Sequence, residues 1–410
     1  MHFVHVATTY RTNPDTLSQA LENTQPGDTV LLSDGIYRGG IVFTRCGTER
    51  APITIRASGT DAIVDGGIDG FHTEGACWLT LEGIRFQKAQ RAGLYLRAGK
   101  LPSASHITVR NCVFADNGAW GCITSHIDHF TIENCEAYGS IKEHGIYHAN
   151  SGDDPVIRNN RVHHNAGHGI HVNGDPGCGG DGVISRALIE GNVIWENGSI
   201  GGGSINFMHV QDSIVRNNLI FNNLNNGIWL WRNFGDDDSV SSKRNRILNN
   251  TVYFRPGEGR FALLIHRTVS DTVVRNNIFV GGARGTIYVE PWALPSVESD
   301  HNIIAARAGQ RIFGDATNGA GAGNLATPEE APAQIQEYRR LGIEVNLATG
   351  IEVPVAAWLG RGLDAHSAIG AMPVFVDPAG RDFHLRKGSV GIDAGCNEEV
   401  LNRSIAPTPW

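Results

Sequence analysis

The sequence predicts an all-β chain wound as a right-handed parallel β-helix solenoid, with an N-terminal helical cap and a C-terminal irregular and helical extension. Three observations carry that prediction. A short phrase recurs along the chain at near-regular spacing. The repeating unit alternates apolar and polar residues with period 2, as a half-buried strand does. No helix-length apolar stripe lies between the repeats, which excludes helical and leucine-rich solenoids.

The recurring phrase is "VRNC", "IENC", "IRNN", "IEGN", "VRNN", "ILNN", "VRNN" and "SDHN". Its last residues are Cys112, Cys135, Asn160, Asn192, Asn218, Asn250, Asn277 and Asn302, spaced by 23, 25, 32, 26, 32, 27 and 25 residues. A unit of this size carrying three short strands is one coil of a β-helix, and coils stack at the strand spacing of roughly 4.8 Å. Stacking places the asparagines above one another, where inward amides hydrogen-bond each other and the turn backbone. Cys112 and Cys135 take the same position and are expected to be stacked buried thiols.

The ends of a solenoid need caps. In "NPDTLSQALENTQPGDTVLL", Asp15 is the expected N-cap of a short helix over Leu17, Ala20 and Leu21, and Pro26-Gly27 turns into the first strand. After Asn302 the pattern fades. "TPEEAPAQIQEYRRLG" predicts a helix starting near Thr327, and "PVFVDPAGRDFHLRKGSVGIDAG" predicts a final irregular coil near 373–396. The organisation expected is a capped β-helix over 1–310 and an extension over 311–410 packed along it.

Composition removes several function classes. The chain has 410 residues, a net charge of −8 and no basic cluster, so nucleic-acid binding is set aside. Seven scattered cysteines without a CxxC pair form neither a disulfide framework nor a zinc site. The start, "MHFVHVATTY", shows no secretion signal, and no apolar stretch is long enough to span a membrane.

The segments "TLSQALENTQPGDTVLL", "GIYRGGIVF", "GTERAPITIRA", the "RNN" coils and the ending "PVFVDPAGRDFHL…SVGIDAG" resemble the right-handed parallel β-helix superfamily that includes pectate lyase. The resemblance covers roughly residues 12–310 and the terminal stretch near 373–396. It implies a carbohydrate-active protein whose partner is a poly- or oligosaccharide, and a secreted or periplasmic location. The superfamily also holds alginate lyase, chondroitinase B, C5-epimerases and glycoside hydrolases. The Asp-Pro-His-Asp stretch of the epimerases and the clustered aspartates of polygalacturonases are absent here, so the resemblance speaks to fold more than to reaction.

Strand alternation locates the outward side chains. The phrase "HGIYHANSGDDPVIRNNRVHHNAGHGIHVNGD" repeats because coils stack, and it varies where adjacent coils put different groups on one face. One outward column reads Tyr95, Ile123, Tyr147, His171, Asn206, Trp229, Leu264 and Tyr288. The next reads Arg97, Ser125, Ala149, Asn173, Met208, Trp231, His266 and Glu290. A third is expected at Ser151, Asp175, Val210 and Asn233. Trp229 and Trp231 suit stacking on a sugar ring, and Arg97 and Arg232 suit a carboxylate. His144 and His168 precede the glycine of successive strands and are expected to stack at the turn. The two 32-residue intervals carry extra loops, "GDPGCGGDG" (174–182) and "NFGDDDSVSS" (233–242), which would wall a groove about 10 Å wide.

Three functions compete for this face. β-Elimination on a uronic-acid glycan would use Tyr147, His171 and Asp175 for proton transfer. His144, His168, Asn173, Asp181, Asn206, His266 and the arginines and tryptophans above would hold the substrate. A Ca²⁺ ion at Asp153, Asp154 or Asp175 is an alternative use of turn residues. Glycoside hydrolysis needs two carboxyl groups, with candidates Asp175, Asp181, Asp212 and Glu290. A non-catalytic carbohydrate-binding solenoid would explain the aromatics but not the histidines.

Overall fold

The computed structural model describes residues 5–397, apart from 102, 234, 267, 317–330, 344 and 347–349. It is a right-handed parallel β-solenoid of about 11 turns. Three parallel sheets of 12, 10 and 12 strands run its length. A representative coil gives Ile127–Glu133 to the first sheet, Glu136–Tyr138 to the second and Ile146–Asn150 to the third. The next coil places Val156–Arg158, Arg161–His163 and Ile170–Gly174 beside them. Period-2 alternation sends Ile132, Ala137 and Ile146 into one continuous apolar core.

The asparagine column forms at the turn between the first and second sheets. Asn160, Asn192, Asn218, Asn250 and Asn277 each donate Nδ2 to the Oδ1 of the next member, at 2.9–3.0 Å. Each also gives Nδ2 to a core-strand carbonyl, as Asn192 does to Ile157 O at 2.9 Å. Cys112 and Cys135 sit on the same column as free, buried thiols. The first residue of each "NN" pair has its own reason. Asn159, Asn217, Asn249 and Asn276 hold φ between 55° and 59°, and Gly191 holds 65° at the equivalent place. Asparagine and glycine tolerate that left-handed turn best. A second column follows at the next turn, where Asn165 donates to Asn197 and Asn197 to Asn223.

The N-terminal helix spans Leu17–Asn23 and buries Leu17, Ala20 and Leu21. Its start differs from expectation. Asn13 Oδ1, not Asp15, accepts the backbone N–H groups of Asp15 and Thr16 at 3.0 and 3.1 Å. At the other end, Ala331–Arg340 is helical, while the predicted start near Thr327 lies outside the described residues. The stretch expected as a coil near 373–396 instead contains an antiparallel hairpin, Phe375–Asp377 with Asp382–Leu385. It lies against the second sheet through Phe375 and Phe383 on Tyr253. The last rung of that sheet is supplied earlier, by Ala368–Ile369. Among the described residues, no helix is long and apolar enough to cross a membrane.

Candidate functional site

The third sheet aligns the two outward columns as the alternation required. Tyr95, Ile123, Tyr147, His171, Asn206, Trp229, Leu264 and Tyr288 are paired rung by rung. Arg97, Ser125, Ala149, Asn173, Met208 and Trp231 form the neighbouring column. The third column does not form. Val210 is buried and pairs with Ile184 in a separate two-stranded sheet, after the strand ends at Met208 and His209 takes φ 57°.

The face is far less exposed than alternation alone implies. His171, Asn173, Asn206 and His266 are buried, and Trp229 and Trp231 are half-buried. The C-terminal extension covers one end. Tyr338 Oη donates to Tyr288 Oη at 2.9 Å, which seats the 331–340 helix on the last strand of this sheet.

Glycines pin the centre. A Cβ on Gly145 would sit 2.6 Å from Val162 Cγ1, and one on Gly169 would sit 2.8 Å from Ile194 Cγ2. The strands therefore approach the next coil closely, and the preceding His144 and His168 are held at the sheet edge. Their rings lie 4.6 Å apart. His171 lies 4.8 Å from His144, edge-on, and 4.8 Å from Tyr147, with planes 9° apart. His144 Nε2 is 3.1 Å from His171 Nδ1. Asn173 Nδ2 donates to Tyr147 Oη at 2.9 Å, which leaves the phenol hydrogen free to be donated. Burial holds all three imidazoles neutral, with His168 pushed down to about 4 and His144 and His171 well below the usual value. Burial likewise pushes the Tyr147 phenol up.

Several polar atoms at this centre are buried and without a hydrogen-bond partner among the described residues. They are His171 Nε2, Asn173 Oδ1, both amide atoms of Asn206, and Nε1 of Trp229 and Trp231. Native interiors leave few such atoms, and a cluster of them marks a place where a ligand or water completes the bonding. Donors outnumber acceptors in this set, which suits an oxygen-rich guest.

The remaining predicted residues are spread more widely. Trp229 and Trp231 stack on each other at 4.9 Å, with His266 edge-on to Trp229 at 5.4 Å. Arg97 is three rungs from Asn173, pairs with Glu74 at 3.2 Å and lies over the Tyr95 ring. Arg232 donates to Thr268 Oγ1 and approaches Asp238. Asp175 caps a short 3-10 turn through Gly177 N, and Asp181 accepts from Ser151 Oγ and Val183 N. Asp212 is paired with Arg244. Asp153 and Asp154 both face Arg186, at 2.9 and 2.8 Å, so the cation at that turn is a guanidinium.

Glu143 was not singled out from the sequence. Its carboxyl lies 3.3 Å from His144 Nε2, and burial pushes its pKa up. The signal was there in "KEHGIYH", a charged residue directly before the repeated His-Gly pair.

Among the described residues, two side-chain groups bring three metal-ligating atoms within 4.8 Å of one another: His144, His168 and His171, and Asp300, His301 and His366. In the second group, Asp300 already accepts from the backbone of His301 and from the backbone and ring of His366, so it is a closed turn.

A family model described as "Right handed beta helix region" matches residues 39–179. No curated protein matches the chain. Among solved structures, the chain is similar to an alginate lyase from Paenibacillus sp. str. FPU-7, with 19% identity and a TM-score of 0.56, over 66% of this chain and 94% of that one. It is similar to pectate lyase Pel9A, with 16% identity and a TM-score of 0.58, over 99% of this chain and 95% of the other. A GH136 lacto-N-biosidase from Eubacterium ramulus matches with 14% identity and a TM-score of 0.52, over 75% of this chain and 65% of that one. At these identities the likeness is one of fold. The chain is a right-handed parallel β-helix protein, built on the scaffold that pectate and alginate lyases share.

Proposed function

We propose that the chain is a carbohydrate-active enzyme that cleaves a uronic-acid-containing poly- or oligosaccharide by β-elimination. The observation that supports this most is the Tyr147–His171 pair. Two proton-handling side chains are stacked on adjacent rungs and held by Asn173 and His144 beside a cluster of unpartnered donors. In the reaction the C5 proton leaves to a base, the C4–O bond breaks, a C4–C5 double bond forms and the departing oxygen takes a proton. Hydrogen bonds from neutral donors to the uronate carboxyl acidify that C5 proton without a full charge nearby. In this reading Asn206 and the tryptophan N–H groups make those bonds, and Asp175 and Asp181 belong to the rim. The similar structures named above include an alginate lyase and a pectate lyase, which is in keeping with this reading.

The test is ultraviolet absorbance of the unsaturated product on a polyuronate panel, with and without calcium, for the wild type and His171→Ala. Absorbance that the variant loses supports the reading. New reducing ends without absorbance would replace it with hydrolysis, and binding without turnover would replace it with a carbohydrate-binding solenoid.

A further inference from the structure

The three imidazoles at the centre are ordered by backbone hydrogen bonds. Gly203 N–H donates to His168 Nδ1 at 2.6 Å. The backbone N–H of His168 donates to His144 Nδ1 at 3.0 Å. A backbone N–H can only donate, so both Nδ1 atoms present lone pairs, and each neutral ring carries its hydrogen on Nε2. His144 Nε2 then points its hydrogen at His171 Nδ1, 3.1 Å away. His171 Nδ1 must accept, which leaves the hydrogen of His171 on Nε2. That atom is buried and has no partner among the described residues. Glu143, 3.3 Å from His144 Nε2, is an acceptor and draws the same hydrogen without reversing the chain.

We propose that His144, its tautomer set by the backbone N–H of His168, is a positioning residue that locks His171 as an Nε2–H donor to a substrate oxygen, a role that rests on the function proposed above. His171 is then not the group that removes a proton from the sugar. It hydrogen-bonds the carboxyl or the departing oxygen, and protonates that oxygen if the bond breaks there. The reverse order of hydrogens would set Nδ1–H of His144 against the N–H of His168, donor against donor, in a buried site.

The same lock makes the trio a poor metal nest, although its nitrogens lie close together. A ligating imidazole offers one lone pair and donates its other N–H to an acceptor. Behind His144 and His168 stand donors, so binding a cation through Nε2 would force each ring hydrogen onto a nitrogen that already faces an N–H group.

The first experiment is imidazole ¹⁵N NMR on the full chain labelled at histidine, with His171→Gln used to assign the His171 signals. The expected result is a neutral Nε2–H form of His171 that persists from pH 7 to pH 5 and does not change on adding Zn²⁺. A neutral Nδ1–H form, titration near the ordinary histidine value, or a Zn²⁺-induced shift would overturn the lock. This readout needs no activity, so silence on every polyuronate would remove the proposed function and leave the lock standing. If the chain does turn over a polyuronate, His171→Gln keeps an N–H donor and loses about 10-fold, whereas His171→Ala loses about 10²–10³-fold. Equal losses in the two variants would mean that His171 acts as a base.

Discussion

Asn192 and Asn206 belong to the same coil and are equally hidden from solvent. Asn192 lies in the turn column, where its Oδ1 accepts from the backbone and side chain of Asn160 and its Nδ2 donates to Ile157 O and Asn218 Oδ1. Asn206 lies on the third sheet between His171 and Trp229, and neither of its amide atoms has a partner among the described residues. A satisfied buried amide contributes about 1 kcal/mol net for each hydrogen bond, while an unsatisfied one costs about 1–3 kcal/mol. The first amide therefore helps hold the solenoid together, whereas the second costs stability, which fits the binding role proposed for its column. Burial alone does not separate scaffold from site; hydrogen-bond satisfaction does.

The largest effect should come from breaking the scaffold column. Asn218→Leu removes the acceptor of Asn192 N and Nδ2 and the donor to Ile189 O. Several buried groups lose partners at once, so the expected loss is about 3–5 kcal/mol in chemical denaturation, with activity per folded molecule retained. An unchanged midpoint would contradict the role given to the column. His171→Ala should act mainly on turnover, which falls about 10²–10³-fold, while stability falls by only about 1–3 kcal/mol because His144 Nε2 loses its acceptor.

Acid should act between these extremes. His148 and His168 both have pKa values pushed from 6.5 down to about 4, chiefly by burial. A histidine depressed in the folded state stabilises fully above its unfolded pKa. That contribution is lost as pH falls from 6.5 towards 4, while the unfolded chain takes up protons and the folded chain does not. At about 1.4 kcal/mol per pKa unit, each site loses roughly 3 kcal/mol across this window. Denaturant midpoints measured from pH 7 to pH 4 should fall through it, and a flat profile would mean that these rings are charged when folded. His148 and His171 sharpen the contrast. His148 accepts from Thr124 and donates to Gly152 O, a fully bonded core histidine. His171 has one nitrogen bonded and one open.

The coil period, the inward asparagines and the two outward columns were legible because stacking and alternation are local rules applied many times over. The register from Tyr95 to Tyr288 follows from them alone. What could not be read depended on where distant chain returns. Tyr338 covers Tyr288 from fifty positions later, so a face that alternation calls outward is partly interior. Phe375 and Phe383 turn the last segment into a hairpin against Tyr253. The first helix starts after Thr16 without a side-chain cap, and the Asn13 side chain instead closes the turn before it, a reach that composition does not specify. Asp153 and Asp154 read as cation ligands until Arg186 arrives from the next coil. The His144–His171 bond depends on both rotamers, which residue spacing does not specify.

The smallest stability effect tests the comparison most directly. Asn206→Leu exchanges an amide for an apolar side chain of similar size at a position where no hydrogen bond is lost. Removing an unsatisfied buried polar group offsets the cost of reshaping the site, so the expected change lies within about 1 kcal/mol of zero, with stabilisation the favoured sign. The same substitution at Asn192 removes four hydrogen bonds and should cost several-fold more. Saccharide binding reports the other half. Asn206→Leu should weaken affinity for an acidic oligosaccharide about 10-fold in calorimetry, because one donor and one acceptor leave the site. Asn206→Leu costing as much stability as Asn192→Leu would show that Asn206 is bonded within the fold after all. Its column would then be a second scaffold, and the search for a binding surface would move to the Trp229–Trp231 end.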